Sequence, residues 1–256
     1  MKPKPGFFIL LGLLLALAGG VWLYDWILGQ TEEASEPIRA DPVPIDDEQN
    51  TSSPEIASGA RTTFEMAPES SEVRFIIFEE LRGEPVDVVG TSSHVAGQFL
   101  FDFAQPAQSR LGAIRVNART FVTDEDRRDR ATRNRILHTD DFEYITFVPD
   151  EITGLSNTIA EGETVEFTIG GNLTIRDVTR PAVFDASMTL VSPEILLGEA
   201  RTTVSREAYN LVVPNLPFIA NVADEVRLEF EGEFRPVANA TTPVIPEFHN
   251  EPNGSQ

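Results

Sequence analysis

Apolar and polar residues alternate along most of residues 61–235. In Val165-Glu166-Phe167-Thr168-Ile169 the alternation is strict, and the same parity continues past Gly170 and Gly171 through Leu173 and Ile175. Val226, Leu228, Phe230 and Phe234 alternate with Arg227, Glu229, Glu231 and Glu233. Phe99, Phe101 and Phe103 share one parity, and Ile114, Val116 and Ala118 alternate with Arg115, Asn117 and Arg119. A period of two predicts strands with one dry face and one wet face. Further strands are expected at 72–79, 144–153, 181–192 and 195–205. Together these give about eight antiparallel strands, which suit a closed up-and-down barrel or a two-sheet sandwich. Gly170-Gly171, in mid-strand, predicts a bulge or a sharp bend.

One segment breaks the pattern. Thr123 to Leu137 is dense in charge and has helical composition. Thr123 is placed to cap it, with acids early and arginines late, as the helix dipole prefers. Its arginines admit three readings. They form a solvated, salt-bridged face; they close one end of the barrel, through Arg128 and Asp129; or some of them hold a polar head group such as a pyrophosphate, with Arg128 and Arg133 as candidates.

The N-terminus has a third pattern. Lys2 and Lys4 precede an apolar run from Phe7 to Leu28 that is broken only by Asp25. About 20 apolar residues suffice to cross the ~30 Å hydrocarbon core as a helix, and the lysines predict a cytoplasmic N-terminus. A cleavable signal peptide, with Ala16-Leu17-Ala18 as its site, competes with an uncleaved signal anchor. The anchor is preferred, because cleavage there would leave Val21-Trp22-Leu23-Tyr24 near a mature terminus. The expected organisation is 1–6 in the cytoplasm, 7–28 a transmembrane signal anchor, 29–60 a disordered acidic linker, 61–235 the barrel and 236–256 a disordered tail. The barrel then lies on the extracytoplasmic side of the membrane.

Charge narrows the function. The chain has 256 residues and a formal net charge of −21, which disfavours a nucleic-acid partner. Lys2 and Lys4 are the only lysines, and residues 30–60 carry eight acids and one arginine. Such a segment buries too little apolar surface to order itself and should act as a spacer. The chain has no cysteine, which removes disulfides, thiolate metal sites and lipoprotein acylation. The histidines His94, His138 and His249 share no metal-ligand spacing, and no catalytic motif is present, so an enzyme is not expected.

Several ordered blocks resemble the YceI-like family of bacterial extracytoplasmic proteins. They are Arg128-Asp129 with Leu137, Phe142 with Ile145-Thr146-Phe147, Gly171 with Leu173-Thr174-Ile175, Val178-Thr179 with Pro181, Arg206, and Asp224-Glu225-Val226. The family's Arg-x-x-Phe-Gly is replaced by Arg206-Glu207-Ala208-Tyr209-Asn210. The resemblance implies an all-β, eight-stranded, lipocalin-like antiparallel barrel around an elongated apolar cavity. It also implies non-enzymatic binding of a long amphiphile, a polyisoprenoid or isoprenoid quinone, by a carrier or sequestering protein. The alternative is a filled barrel that meets an envelope partner without a ligand. A homodimer is a candidate assembly.

Phenylalanine occurs 17 times against three tyrosines, so the dry face has few polar tips. By parity the expected cavity or core lining is Phe75, Ile77, Phe99, Phe101, Phe147, Phe167, Leu173, Phe184, Met188 and Phe230. Phe218, in the apolar stretch Pro214 to Ile219, is expected in a loop that either forms a portal or packs on the barrel.

Overall fold

The computed structural model describes residues 32–35, 38–43, 61–213 and 219–237. Within them twelve strands make one antiparallel sheet. They are β1 (Arg61–Leu81), β2 (Glu84–Ser92), β3 (Val95–Ala96), β4 (Gln98–Asp102), β5 (Arg110–Leu111), β6 (Ile114–Asn117), β7 (Tyr144–Thr153), β8 (Thr164–Ile175), β9 (Val178–Ser192), β10 (Ile195–Ser205), β11 (Ile219–Ala220) and β12 (Glu225–Pro236). The path runs β3-β6-β7-β8-β9-β10-β12-β1-β4-β5, and β2 and β11 also pair with β1. The strands near its two ends, β3 and β4, are separated in the chain by Gly97 alone. There the Met66 amide donates to the Gly97 carbonyl at 3.0 Å. The sheet therefore curls round on itself, with the apolar parity turned inward.

The strand count corrects the expected eight. β3, β5 and β11 are each two residues long, too short to leave an alternating pattern. β2 escapes detection because its inner row is completed by Gly90 and Ser92 rather than by large apolar residues. β1 extends well before residue 72. Its ladder with β12 slips between Met66 and Ser71, around Pro68, where a ladder donor is missing. The first part pairs with β4 and the second with β2.

The bulge expected at Gly170-Gly171 exists, but the extra residue belongs to the partner strand. Pro149 pairs with Gly171 and Glu151 with Gly170, which leaves Asp150 between them. A Cβ on Gly171 would stand 2.5 Å from the Val148 carbonyl oxygen, so only glycine fits this close approach.

The charged segment is shorter than expected. α1 covers Asp126–Ala131 and passes into a π-helical turn over Thr132–Leu137. Glu125, not Thr123, occupies the N-cap position. The Thr123 amide and hydroxyl instead donate to the buried Asp129 carboxylate, at 2.7 and 2.6 Å.

The described parts of the acidic linker do not behave as a free spacer. Residues 32–35 and 38–43 lie along the outer side of β6. Arg119 holds the Glu32 carboxylate at 2.9 Å and donates to the Glu33 carbonyl at 2.9 Å. The Ser35 amide and hydroxyl donate to Glu143 at 2.6 and 2.9 Å. Further along, Asp41 faces Arg115 at 3.6 Å and Val43 is buried. Burial pushes the Glu143 carboxyl up, but hydrogen bonds from Ser35 and Asn117 and the charge of Arg119 outweigh it and hold it below the usual range. Among the described residues no helix is long and apolar enough to cross a membrane. The expected anchor (7–28), the tail beyond 237 and Phe218 lie outside the described residues.

Candidate ligand cavity

The curled sheet encloses a cavity of about 170 Å³. Phe99, Phe147, Phe167, Leu173, Phe184, Met188 and Phe230 line it, as their parity predicts. Phe147 and Phe184 meet edge to face, with ring centres 4.8 Å apart. The polar residues Arg74, Ser187, Glu199 and Glu229 also border the cavity, but its exposed wall is almost wholly apolar. Engineered apolar cavities of ~150 Å³ stay dry and hold a benzene-sized guest, so a wall of this chemistry favours apolar matter over water.

Three of the residues expected to line the cavity or the core stand off the cavity wall. Phe75 lies over Gly90 and packs on Phe121, with ring centres 5.3 Å apart. Ile77 is further along the inner face, beyond the cavity wall. Phe101 is 1% exposed, inside a phenylalanine cluster at one end. The sequence-based list omits Ile152, Leu228 and Phe234, which also line the cavity and whose alternation carries the signal. Phe121 also lines it, but it follows a 3-10 turn, Ala118–Thr120, where alternation gives no guide.

The two ends of the cavity differ. At one end Phe64, Phe99, Phe101 and Phe103 form a continuous aromatic cluster. Phe64 and Phe101 are fully buried, and Phe99 continues to Phe234, which lines the cavity. This end is plugged. Nearby, burial pushes the Asp102 carboxyl up, but hydrogen bonds from Arg61 and from the Gln105 and Ala104 amides hold it below the usual range.

The other end carries α1, the π turn and the β8–β9 turn. Here the β9–β10 ladder stops at Asp185–Arg201, although both strands continue. A 3-10 turn, Glu207–Tyr209, fills the gap, and Arg180 donates to the Ala208 carbonyl at 2.6 Å. Arg206 donates to the Leu211 carbonyl at 2.5 Å and so shapes the same turn. Tyr209 is 2% exposed, and burial raises its phenol above the usual range against the opposing charge of Arg180.

The two expected head-group arginines have different surroundings. Arg128 faces the buried Glu79 at 3.5 Å and also pairs with Asp124, so its charge is already matched. Among the described residues Arg133 donates to the Phe121 carbonyl, at 3.2 Å, and pairs with no carboxylate. Arg130, Arg176 and Arg180 likewise have no carboxylate within ion-pair distance among the described residues. Among those residues no group of three His, Asp or Glu side chains could hold a metal ion.

A larger groove, about 760 Å³, crosses the outside of the same strands. Glu166, Asp185, Glu199 and Arg201 line it, so it suits water and ions rather than an apolar chain.

Residues 64–234 match the YceI-like domain. The chain belongs to that family. A UPF0312 protein of Shewanella baltica and another of Yersinia enterocolitica are each 29% identical to it, over 100 and 101 residues. Those stretches are 39% of this chain and 48% of each relative, so the chain spans about half the length of the curated relatives it matches. Among solved structures, a polyisoprenoid binding domain from Saccharophagus degradans, implicated in plant cell wall breakdown, has the same fold. Its TM-score is 0.55 at 13% identity, covering 69% of this chain and 99% of that one. Burkholderia cenocepacia BcnA has a TM-score of 0.52 at 17% identity, covering 66% and 98%.

Proposed function

We propose that this YceI-like domain is a non-enzymatic carrier or sequestering protein for a long apolar ligand, a polyisoprenoid or isoprenoid quinone. The observation that carries the reading is an enclosed, almost wholly apolar cavity with one plugged end and one arginine-bearing end. The apolar tail occupies the cavity, and its polar head remains at the arginines. Each methylene taken from water contributes ~0.8 kcal/mol, so binding needs no strong polar contact. A full isoprenoid needs more room than 170 Å³. The β9–β10 seam, already parted, and the flexible Met188 supply the give.

The apolar run at 7–28 anchors the chain, and the lysines before it keep the domain on the extracytoplasmic face of a bacterial membrane. The small cavity also favours a second reading, a filled barrel that serves as an interaction module. Extraction of the purified chain followed by mass spectrometry separates the two. A prenyl lipid at one per chain supports the carrier. A lipid-free chain that also takes up no added prenol supports the module.

A further inference from the structure

We infer that residues 32–35 and 38–43 form a strap that fixes the barrel's orientation on its own membrane, with the arginine-bearing end against the phosphate head groups. The inference rests on residues 7–28 acting as the anchor.

The first argument is chain length. Four peptide steps separate Leu28 from Glu32. At ~3.4 Å per residue they reach no further than about 14 Å. Glu32 is not free to roam. Its carboxylate is held by Arg119, and its amide donates to Asp140 at 2.9 Å. Ser35 is held twice by Glu143. Arg119, Asp140 and Glu143 all belong to the end of the sheet where β6 finishes and β7 begins. That end also carries α1 and the β8–β9 turn. Arg176, in that turn, lies over the Phe142 ring at 5.8 Å and donates to the Ile136 carbonyl at 3.4 Å. A docked strap therefore leaves the arginine-bearing end within one short tether of the bilayer. From Glu32 the strap runs away towards Val43, beside Gln98 and Gly112 on the body of the barrel.

The second argument is what that end presents. In a chain of net charge −21, Arg130, Arg133, Arg176 and Arg180 gather there without carboxylate partners among the described residues. Guanidinium forks match phosphate oxygens, and phosphate head groups lie in a plane at this distance. Val212, next to the Leu211 that Arg206 holds at this end, stands 69% exposed, as residues that settle into an interface do. Among the described residues the plugged end offers no such group: Arg61 and Arg235 there are paired with Asp102 and Glu233.

The absence of cysteine makes the test direct, because one introduced cysteine gives one label. The full chain is reconstituted in vesicles of equimolar phosphatidylcholine and phosphatidylglycerol that contain a head-group quencher. A fluorophore is placed on Asp177→Cys in the β8–β9 turn or on Glu194→Cys in the β9–β10 turn. The 15 residues of β9 lie between the two. At ~3.3 Å per residue this is about 50 Å of strand, so quenching at Asp177→Cys should exceed that at Glu194→Cys about threefold or more. Equal quenching, or stronger quenching at Glu194→Cys, overturns the orientation. Glu32→Gln with Ser35→Ala loosens the strap from its own exposed side and should bring the ratio to about one. An unchanged ratio overturns the strap as its cause. Charge removal by Arg130→Gln with Arg133→Gln should lower the ratio while the chain stays with the vesicles. A chain that does not stay with vesicles at all removes the anchor reading and this inference with it, whereas a bound chain with equal quenching removes the orientation alone.

Discussion

The ring of Phe75 lies directly over Gly90, its partner across the β1–β2 ladder. A Cβ on Gly90 would come within 2.1 Å of the Phe75 ring. Gly90→Ala should therefore overpack this face and cost ~1–3 kcal/mol, read as a lower urea midpoint. Adding Phe75→Ala should recover part of that loss, since residues in contact do not add. A double variant that is the sum of the singles would refute the contact.

The Arg128–Glu79 pair is a tie across the arginine-bearing end, not a ligand contact. Glu79 is 5% exposed, and Arg128→Ala strands its carboxylate. The expected loss is ~3–5 kcal/mol in chemical denaturation at neutral pH. A loss below about 1 kcal/mol would place the pair among exposed salt bridges of little consequence.

Arg133→Ala should behave in the opposite way. Its guanidinium holds one carbonyl and no carboxylate, so stability should change little. Affinity for a prenyl pyrophosphate should fall about tenfold, the worth of one charge-assisted hydrogen bond, and the matching prenol should bind as before. Equal effects on both lipids would exclude contact with the head group.

Docking of the strap should depend on pH through Glu143. Its carboxyl is held below the usual range when docked, so docking is favoured while Glu143 is ionised. The contribution is complete above the ordinary glutamate range and fades as pH falls through the lowered value. Limited proteolysis should leave residues 32–35 and 38–43 protected at neutral pH and expose them near pH ~3. Equal cleavage at both pH values would disconnect the strap from Glu143.

Filling the cavity tests the site itself. Ala186 is buried on its wall. Ala186→Leu adds three carbons to a space of about 170 Å³. Displacement of a fluorescent prenyl probe should weaken about tenfold or more, with overpacking costing ~1–3 kcal/mol of stability.

Alternation made the inner wall legible. Phe167, Leu173 and Phe230 each sit where period two places them, because a half-buried strand must segregate its faces. It failed where spacing is not two. Phe121 enters from a turn, and β2 turns Gly90 and Ser92, beside Val88, to the inside. The charged segment misled about its cap, because Asp129 competes for Thr123 through a fold-dependent contact. The strap was hidden for another reason. Composition measures whether a segment can fold alone, and it is blind to Arg119 and Glu143, which lie far away in sequence.

The phenylalanine plug closes one end of the barrel among the described residues. If the domain carries a chain-like guest as proposed, that guest would enter tail first and leave head first, through the opening it used before. Donor and acceptor would then use the same doorway in turn. Exchange would follow a two-stroke order of loading, departure and unloading, its rate set by how often the door is free. A tunnel open at both ends would allow transfer straight through, and the buried rings of Phe64 and Phe101 close that route.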